Sequence, residues 1–258
     1  MNAGVHILAI DAGNSRIKWG IADAGGWLRR AWLATAEADT FGAVLKDLPA
    51  PARIVVSNVA GARVREALTR ELKGCGVEPL WVSGRDEQCG VRSGYADPAQ
   101  LGSDRWAGLI AAWKRYGDAD SAGIAGQTGR ACVVVNAGTT MTVDALSSEG
   151  VFLGGVIVPG LDLMRASLDS GTAQLRLRHG AFYYFPDNTA DAIMSGAINA
   201  LAGAIDRMRG YMEETGQGSP LVVLSGGAAA LIKPRLNVAV ELVDNLVLEG
   251  LLEIAKQE

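Results

Sequence analysis

The stretch "ILAIDAGNSRIKWGIAD" (7–23) ends an apolar run on a carboxylate, Asp11, and continues through Ala12, Gly13, Asn14, Ser15, Arg16, Ile17 and Lys18. A buried carboxylate without a partner costs several kcal/mol or takes up a proton. Asp11 therefore either ends its strand in solvent or faces a positive charge. The small residues after it suit a phosphate cradle. Glycine lets the backbone come close, and successive N–H groups with Asn and Ser side chains donate to phosphate oxygens. A carboxylate beside such a turn suits a hydrated Mg²⁺ bridging phosphates. A β-hairpin with an Asp cap fits the same residues. The chain has no G-x-x-x-x-G-K-[ST] motif, and "GNSRIKWG" leads into a strand rather than the helix of a dinucleotide fingerprint.

The pattern returns in "VVVNAGTTMTVDAL" (133–146). An offset of 125 places Asn136, Ala137 and Gly138 on Asp11, Ala12 and Gly13, with Thr139 and Thr140 on Asn14 and Ser15, and Gly150 on Gly25. The offset is close to half the chain, which reads as an internal duplication. Two such turns facing each other can hold a polyphosphate.

A second cluster is "LGSDRW" (101–106), a polar opening to an apolar helix. Ser103 is the expected N-cap. Asp104 in the first turn suits the helix dipole. It equally suits a general base that orients a substrate hydroxyl, with Arg105 binding an anionic group. Phosphoryl transfer depends mostly on alignment and charge stabilisation, so one carboxylate near the nucleophile suffices. "LSGGAAALI" (224–232) sets Gly226 and Gly227 between a strand and a helix, where they admit a flat ligand such as adenine or allow tight packing. The glycines of "FLGGVIVPG" (152–160) carry the same two readings.

The elements that must hold these residues alternate. Strands are expected at Val5–Asp11, Ile17–Asp23 and Trp27–Ala34, with "DAGG" (23–26) as a hairpin turn. A short helix (Thr40–Leu48), a buried strand (52–60), an amphipathic helix (Ala62–Lys73) and a strand (77–82) follow. A glycine-bearing loop leads to a helix over Asp104–Tyr116, and "GDADSAGIAGQTGR" (117–130) reads as a linker. Then strand–turn–strand–turn–strand restarts. A helix at Leu161–Ser170 and a loop, "TAQLRLRHGAFYYFPD" (172–187), precede a long helix from Thr189 to about Glu213, capped by Asn188. Gly196, Ala197, Ala200, Gly203 and Ala204 keep that helix slim enough for another backbone to approach. "PLVVLSGGAAALI", a strand at "NVAVELV" and a helix at Asn245–Lys256 complete the pattern.

The composition narrows the function classes. The 258 residues are 49% hydrophobic and 20% charged, as in a globular protein of one large or two small domains. A net charge of −4 argues against a nucleic-acid partner, which demands basic patches. Arg63, Arg65 and Arg70 read as a solvated helix face. No apolar stretch has the length of a membrane span, and the start lacks the pattern of a secretory signal. Three scattered cysteines fit a reducing cytoplasm, and two histidines leave a zinc site or a serine triad improbable.

Together these segments resemble the acetate and sugar kinase, Hsp70 and actin superfamily and, within it, the type III pantothenate kinases. The resemblance is carried by "DAGNSRIKWG" (11–20), "GSDRW" (102–106), "NAGTTMTVD" (136–144), "GGVIVPG" (154–160) and "DNTADAIMSGA" (187–197), in order over nearly the whole chain. It implies an α/β fold of two ribonuclease-H-like domains, 1–117 and 118–258, with nucleotide in the cleft between them. It implies transfer of the γ-phosphoryl group of ATP to the primary hydroxyl of pantothenate, the first step of coenzyme A biosynthesis. Residues Asp11 to Lys18 would form the first ATP phosphate loop, with Mg²⁺ near Asp11, and Thr139 would contact ATP from the second. Gly102, Ser103, Asp104 and Arg105 would contact pantothenate, with Asp104 as proton acceptor. Tyr95 and Thr189 match family residues that also touch pantothenate. The family is homodimeric and completes the pantothenate pocket across the interface, which suits the slim face of helix 189–213. Many members carry Asp where this chain has Asn136, associated with K⁺ or NH₄⁺. Asn keeps a carbonyl ligand and loses the charge, so weaker cation binding is expected, with dependence on a monovalent cation retained. "TAQLRLRHG" (172–180) is more basic than the family pattern.

Two other readings compete. Bvg accessory factors resemble the same family and were named for an effect on transcription, so the chain would then be an ATP-binding regulator. Retention of Asp11, Asp104, Arg105 and Thr189 favours an active enzyme. A sugar or acetate kinase of the superfamily is the third reading, but those chains are usually longer, with inserted domains.

Overall fold

Short turns join three strands twice in this chain, and each triplet seeds a sheet. The structure, a computed structural model, describes residues 5–117, 129–171 and 179–258. It divides into two units, residues 5–115 with 246–258, and residues 116–245.

In the first unit β1 (Ile7–Ala12), β2 (Arg16–Asp23) and β3 (Gly26–Ala34) run antiparallel. A 3₁₀ turn and the short α1 (Phe41–Leu45) lead to β4 (Arg53–Asn58), then α2 (Ala62–Leu72) and β5 (Leu80–Trp81). Strands β4 and β5 add parallel to β1, giving the order β3-β2-β1-β4-β5. Side chains alternate across a sheet. Leu8, Ile10 and Ala12 thus enter a core with Ile17, Trp19, Phe41, Val64, Leu68 and Leu72. Asp11 points to the opposite face. A small hairpin, β6 (Glu87–Gln88) with β7 (Val91–Ser93), interrupts the segment read as loop, and α3 (Ser103–Ala112) follows it. Among the exposed arginines of α2, Arg63 and Arg70 pair with Asp39, and Arg65 stacks on Trp81.

The second unit repeats the plan. Strands β8 (Cys132–Ala137), β9 (Thr140–Leu146) and β10 (Val151–Pro159) are antiparallel. After α4 (Leu161–Gly171) and α5 (Thr189–Glu214) come β11 (Leu221–Ser225), the short α6 (Ala229–Ile232) and β12 (Val240–Leu242). Strands β11 and β12 lie parallel to β8, so their order is β10-β9-β8-β11-β12. Two sheets with the same order and directions are the ribonuclease-H-like duplication.

The duplication differs from its sequence reading at the turns. Ala12 pairs with Ile17 but Ala137 pairs with Met141, so the second turn is one residue shorter. Thr140 therefore stands where Arg16 does, rather than on Ser15. A second correction concerns the last element, α7 (Leu246–Gln257). The sequence boundary groups it with residues 118–258, yet it packs on α3, β1 and β4 of the first unit. Most of the linker 117–130 and of "TAQLRLRHG" lies outside the described residues. Among the described residues no helix is long and apolar enough to cross a membrane, and the three cysteines are free thiols.

Candidate functional site

The first turn is built from its backbone outward. Gly13 N–H donates to the Arg16 carbonyl at 3.0 Å and closes the turn. Thr35, just beyond β3, braces it twice. Its hydroxyl donates to the Gly13 carbonyl at 2.6 Å and its N–H to the Ser15 carbonyl at 3.1 Å. Asn14, Ser15 and Arg16 are exposed at the tip, and the Arg16 guanidinium stacks 4.3 Å from the Trp32 ring.

Asp11 lies behind that tip at 7% exposure. Burial pushes its carboxyl from the ordinary 3.8 up to about 7. Lys18, its partner on β2, pulls the other way, and the Asp104 carboxylate adds a further push upward. A desolvated acid with only partial compensation is what a cation would relieve. Asp11 offers one carboxylate to a divalent metal, and among the described residues no group of three metal-ligating side chains surrounds it.

Asp104 enters from α3. Every other residue of that helix is buried, while Asp104 is half-buried at its start. Its Oδ1 accepts the Arg105 N–H at 2.9 Å. The preceding Gly102 makes room for it, since a Cβ there would stand 2.7 Å from Oδ1. Burial is the main reason its carboxyl titrates above the usual range, against the lowering effect of the Arg105 N–H and charge. That direction suits a proton acceptor. Arg105 is 8% exposed, and its Nη1 donates to the Tyr95 hydroxyl at 3.3 Å.

Ser103 corrects the sequence reading. Gly102 is the N-cap, without a side-chain cap bond, and Ser103 is the first helical residue. The Ser103 hydroxyl instead meets the Ser57 hydroxyl at 2.9 Å in a buried pair. Ser57 and Thr35 are the supporting residues that sequence reasoning missed. Ser57 left a trace, a polar residue closing an apolar strand beside Asp11 in register. Thr35 left none.

The second turn is plainer. Gly138 N–H donates to the Thr140 carbonyl at 3.0 Å, and Gly138, Thr139 and Thr140 are exposed. Gly160 N–H donates to the Thr139 carbonyl at 3.0 Å, as Thr35 N–H does in the first turn. Asn136, half-buried, occupies the position of Asp11. The structure separates the two readings of the glycine pair after β11. Gly226 has φ +102° and packs on the Ala137 backbone, where a Cβ has no room. Gly227 meets nothing within 4 Å and leaves an open backbone. Thr189 is exposed at the start of α5, whose Asn188 cap accepts the Asp191 N–H at 3.0 Å.

The structure thus brings Asp11, Lys18, Tyr95, Ser103, Asp104 and Arg105 together in the first unit, and Asn136, Thr139 and the glycine turns together in the second. Solved structures share this fold. A Sinorhizobium meliloti protein assigned as a 2-dehydro-3-deoxygalactonokinase superposes with a TM-score of 0.61 at 17% identity, covering 97% of this chain and 98% of that one. A Campylobacter jejuni protein assigned to the Baf family of transcriptional activators gives 0.59 at 19% identity, with coverage of 97% and 98%. At such identities they speak for the fold alone. Sequence relatives are nearer. Type III pantothenate kinases of Nitrosospira multiformis and Aromatoleum aromaticum are 47% and 44% identical, over 97% and 98% of this chain and 91% and 98% of theirs. The family profile of the type III pantothenate kinases matches residues 7–210, a span holding both turns and the "GSDRW" helix start. With that match and those identities, the chain belongs to the type III pantothenate kinase family.

Proposed function

We infer that the chain transfers the γ-phosphoryl group of ATP to the primary hydroxyl of pantothenate, giving 4′-phosphopantothenate in coenzyme A biosynthesis. The observation that carries this is near full-length identity to type III pantothenate kinases with the two acidic motifs intact. Asp104 takes the proton of the pantothenate hydroxyl. It is half-buried at the start of an otherwise buried helix, and burial raises its carboxyl toward a working base. Arg105, with Tyr95, binds the pantothenate carboxylate, Gly102 and Ser103 contact pantothenate beside them, and Thr189 is a further pantothenate contact. Residues 11–18 and Thr139 hold the ATP phosphates through exposed turn N–H groups and hydroxyls. Asp11 holds the divalent metal of ATP, which we take to be Mg²⁺ and which neutralises phosphate charge when bound. Asn136 offers a carbonyl oxygen to K⁺ or NH₄⁺.

Two further proposals concern the molecule's setting. Exposed Ala192, Gly196, Ala200 and Gly203 recur along one side of α5, a face slim enough to pack against a second copy in a homodimer. We place the enzyme in the cytoplasm, where ATP and coenzyme A synthesis occur. The regulator reading is disfavoured because Asp11, Asp104, Arg105 and Thr189 are all retained.

The test is an ADP-release assay with ATP, Mg²⁺ and pantothenate, with and without K⁺ or NH₄⁺. The native protein should release ADP only with pantothenate present, and faster with the monovalent cation. Asp104→Ala should lower kcat by at least about a hundredfold while the folded state persists. Absence of turnover under every condition would overturn the assignment.

A further inference from the structure

A row of side chains crosses the first sheet. Trp32 pairs with Lys18, Lys18 with Asp11, and Asp11 with Ser57. Paired positions on neighbouring strands project to one face. Ser57 ends the row fully buried, and its hydroxyl is 2.9 Å from that of Ser103. This bond joins the sheet carrying Asp11 to the helix start carrying Asp104.

The end of β4 is a firm base for such a bond. Val59 N–H donates to the Ala12 carbonyl at 3.0 Å. The Asn58 side chain accepts the Ala60 N–H at 3.1 Å and donates to the Gly61 carbonyl at 3.0 Å. On the helix side, the Asp104 carboxylate is held by the Arg105 N–H and by the absent side chain at Gly102. Those two contacts fix Asp104 within α3. They do not fix α3 against β1, because both belong to the helix start itself. Among the side-chain hydrogen bonds described above, Ser57–Ser103 is the one that crosses from the sheet to that first turn.

We propose that Ser57 is a positioning residue: its hydroxyl sets the first turn of α3 against β1 and so fixes where Asp104 stands relative to Asp11. This rests on the reading of Asp104 as proton acceptor. Displacement of a reacting group by about 1 Å can cost on the order of a hundredfold in rate. Loss of the Ser57 hydroxyl also leaves the Ser103 hydroxyl to find a new partner, and the first turn moves with it.

The experiment is a cycle of Ser57→Ala, Ser103→Ala and the double variant, with Ser57→Thr for rescue and Asp104→Asn alongside. Steady-state kinetics and thermal melting are read on each full-length protein. Ser57→Ala should lower kcat by about tenfold to a hundredfold and leave KM for ATP within about twofold, because the hydroxyl bonds Ser103 on the helix. Ser103→Ala, which also removes a proposed pantothenate contact, should lose at least as much, and the double variant no more than Ser103→Ala alone. Ser57→Thr, which keeps the hydroxyl, should recover most of kcat. An unchanged kcat in Ser57→Ala, or losses that multiply in the double variant, would overturn the proposal even if the melting temperature falls. If Asp104→Asn turns over at the native rate, the proton-acceptor assignment fails and the positioning proposal goes with it. If Asp104→Asn is inactive while Ser57→Ala is normal, the positioning proposal alone is wrong.

Discussion

Asp11 holds its proton more tightly in the folded chain than in the unfolded one, with the folded value at about 7 against 3.8. Below both values the acid is neutral in either state and contributes nothing to the difference. As pH rises from about 4 to about 7 the unfolded state ionises first, and its gain destabilises the fold. Above about 7 the full penalty is present. In metal-free and nucleotide-free protein, Asp11→Asn should therefore raise the melting temperature at pH 8, with the gain shrinking as pH falls toward 4. A gain that is flat with pH would contradict the assigned burial. Asp11 stood out in the sequence because it is an acid closing an apolar strand, where a charge needs a reason, and Asp104 because it lies in a polar opening to an apolar helix. Ser57 and Thr35 were not. Their roles depend on strand register and turn bracing, which join positions 46 and 22 residues apart.

At the scale of elements, the strands and α5 were legible because their apolar spacing is long and their caps are local. Asn188 caps α5 from the next residue and can be read by eye. The hairpin β6–β7 was missed, because strands of two or three residues carry no period to detect. Ser103 was misplaced by one position, since its hydroxyl finds Ser57 instead of a helix N–H. Helix α7 shows another limit. An amphipathic pattern tells which face is apolar but not which core it covers. Its crossing with α3 is close enough that a Cβ at Gly250 would run into the Ala107 backbone. Gly250→Ala must push the two helices apart, so it should destabilise the protein by about 1–3 kcal/mol in urea unfolding. Unchanged stability would show that the crossing is looser than described.

For the molecule as a whole, the duplicated plan was legible and its unequal use was legible in part. The first copy carries Asp11, Asp104 and Arg105, while the second keeps Asn136 and exposed backbone. What could not be read was the exchange by which α7 joins the unit at the other end of the sequence. It brings Leu246, Val247, Leu248, Leu251, Leu252 and Ile254 into that unit in buried positions, and it anchors Trp27 and Arg30 through Glu249. A chain shortened after Asn245 should lose amide-exchange protection in β1, β4 and α3 while β8, β9 and β11 keep theirs. Equal loss in both sheets would mean that the units do not fold independently.

The position of α7 also bears on how the protein is made. A ribosome delivers residues in order, and domains usually fold as they emerge, the earlier before the later. Here the unit whose strands are synthesised first lacks a wall until residues 246–257 have left the exit tunnel. The contiguous unit, residues 116–245, has all its parts sooner. The nascent chain therefore carries α3 uncovered until α7 has been made, and phosphoryl-transfer competence waits for that helix.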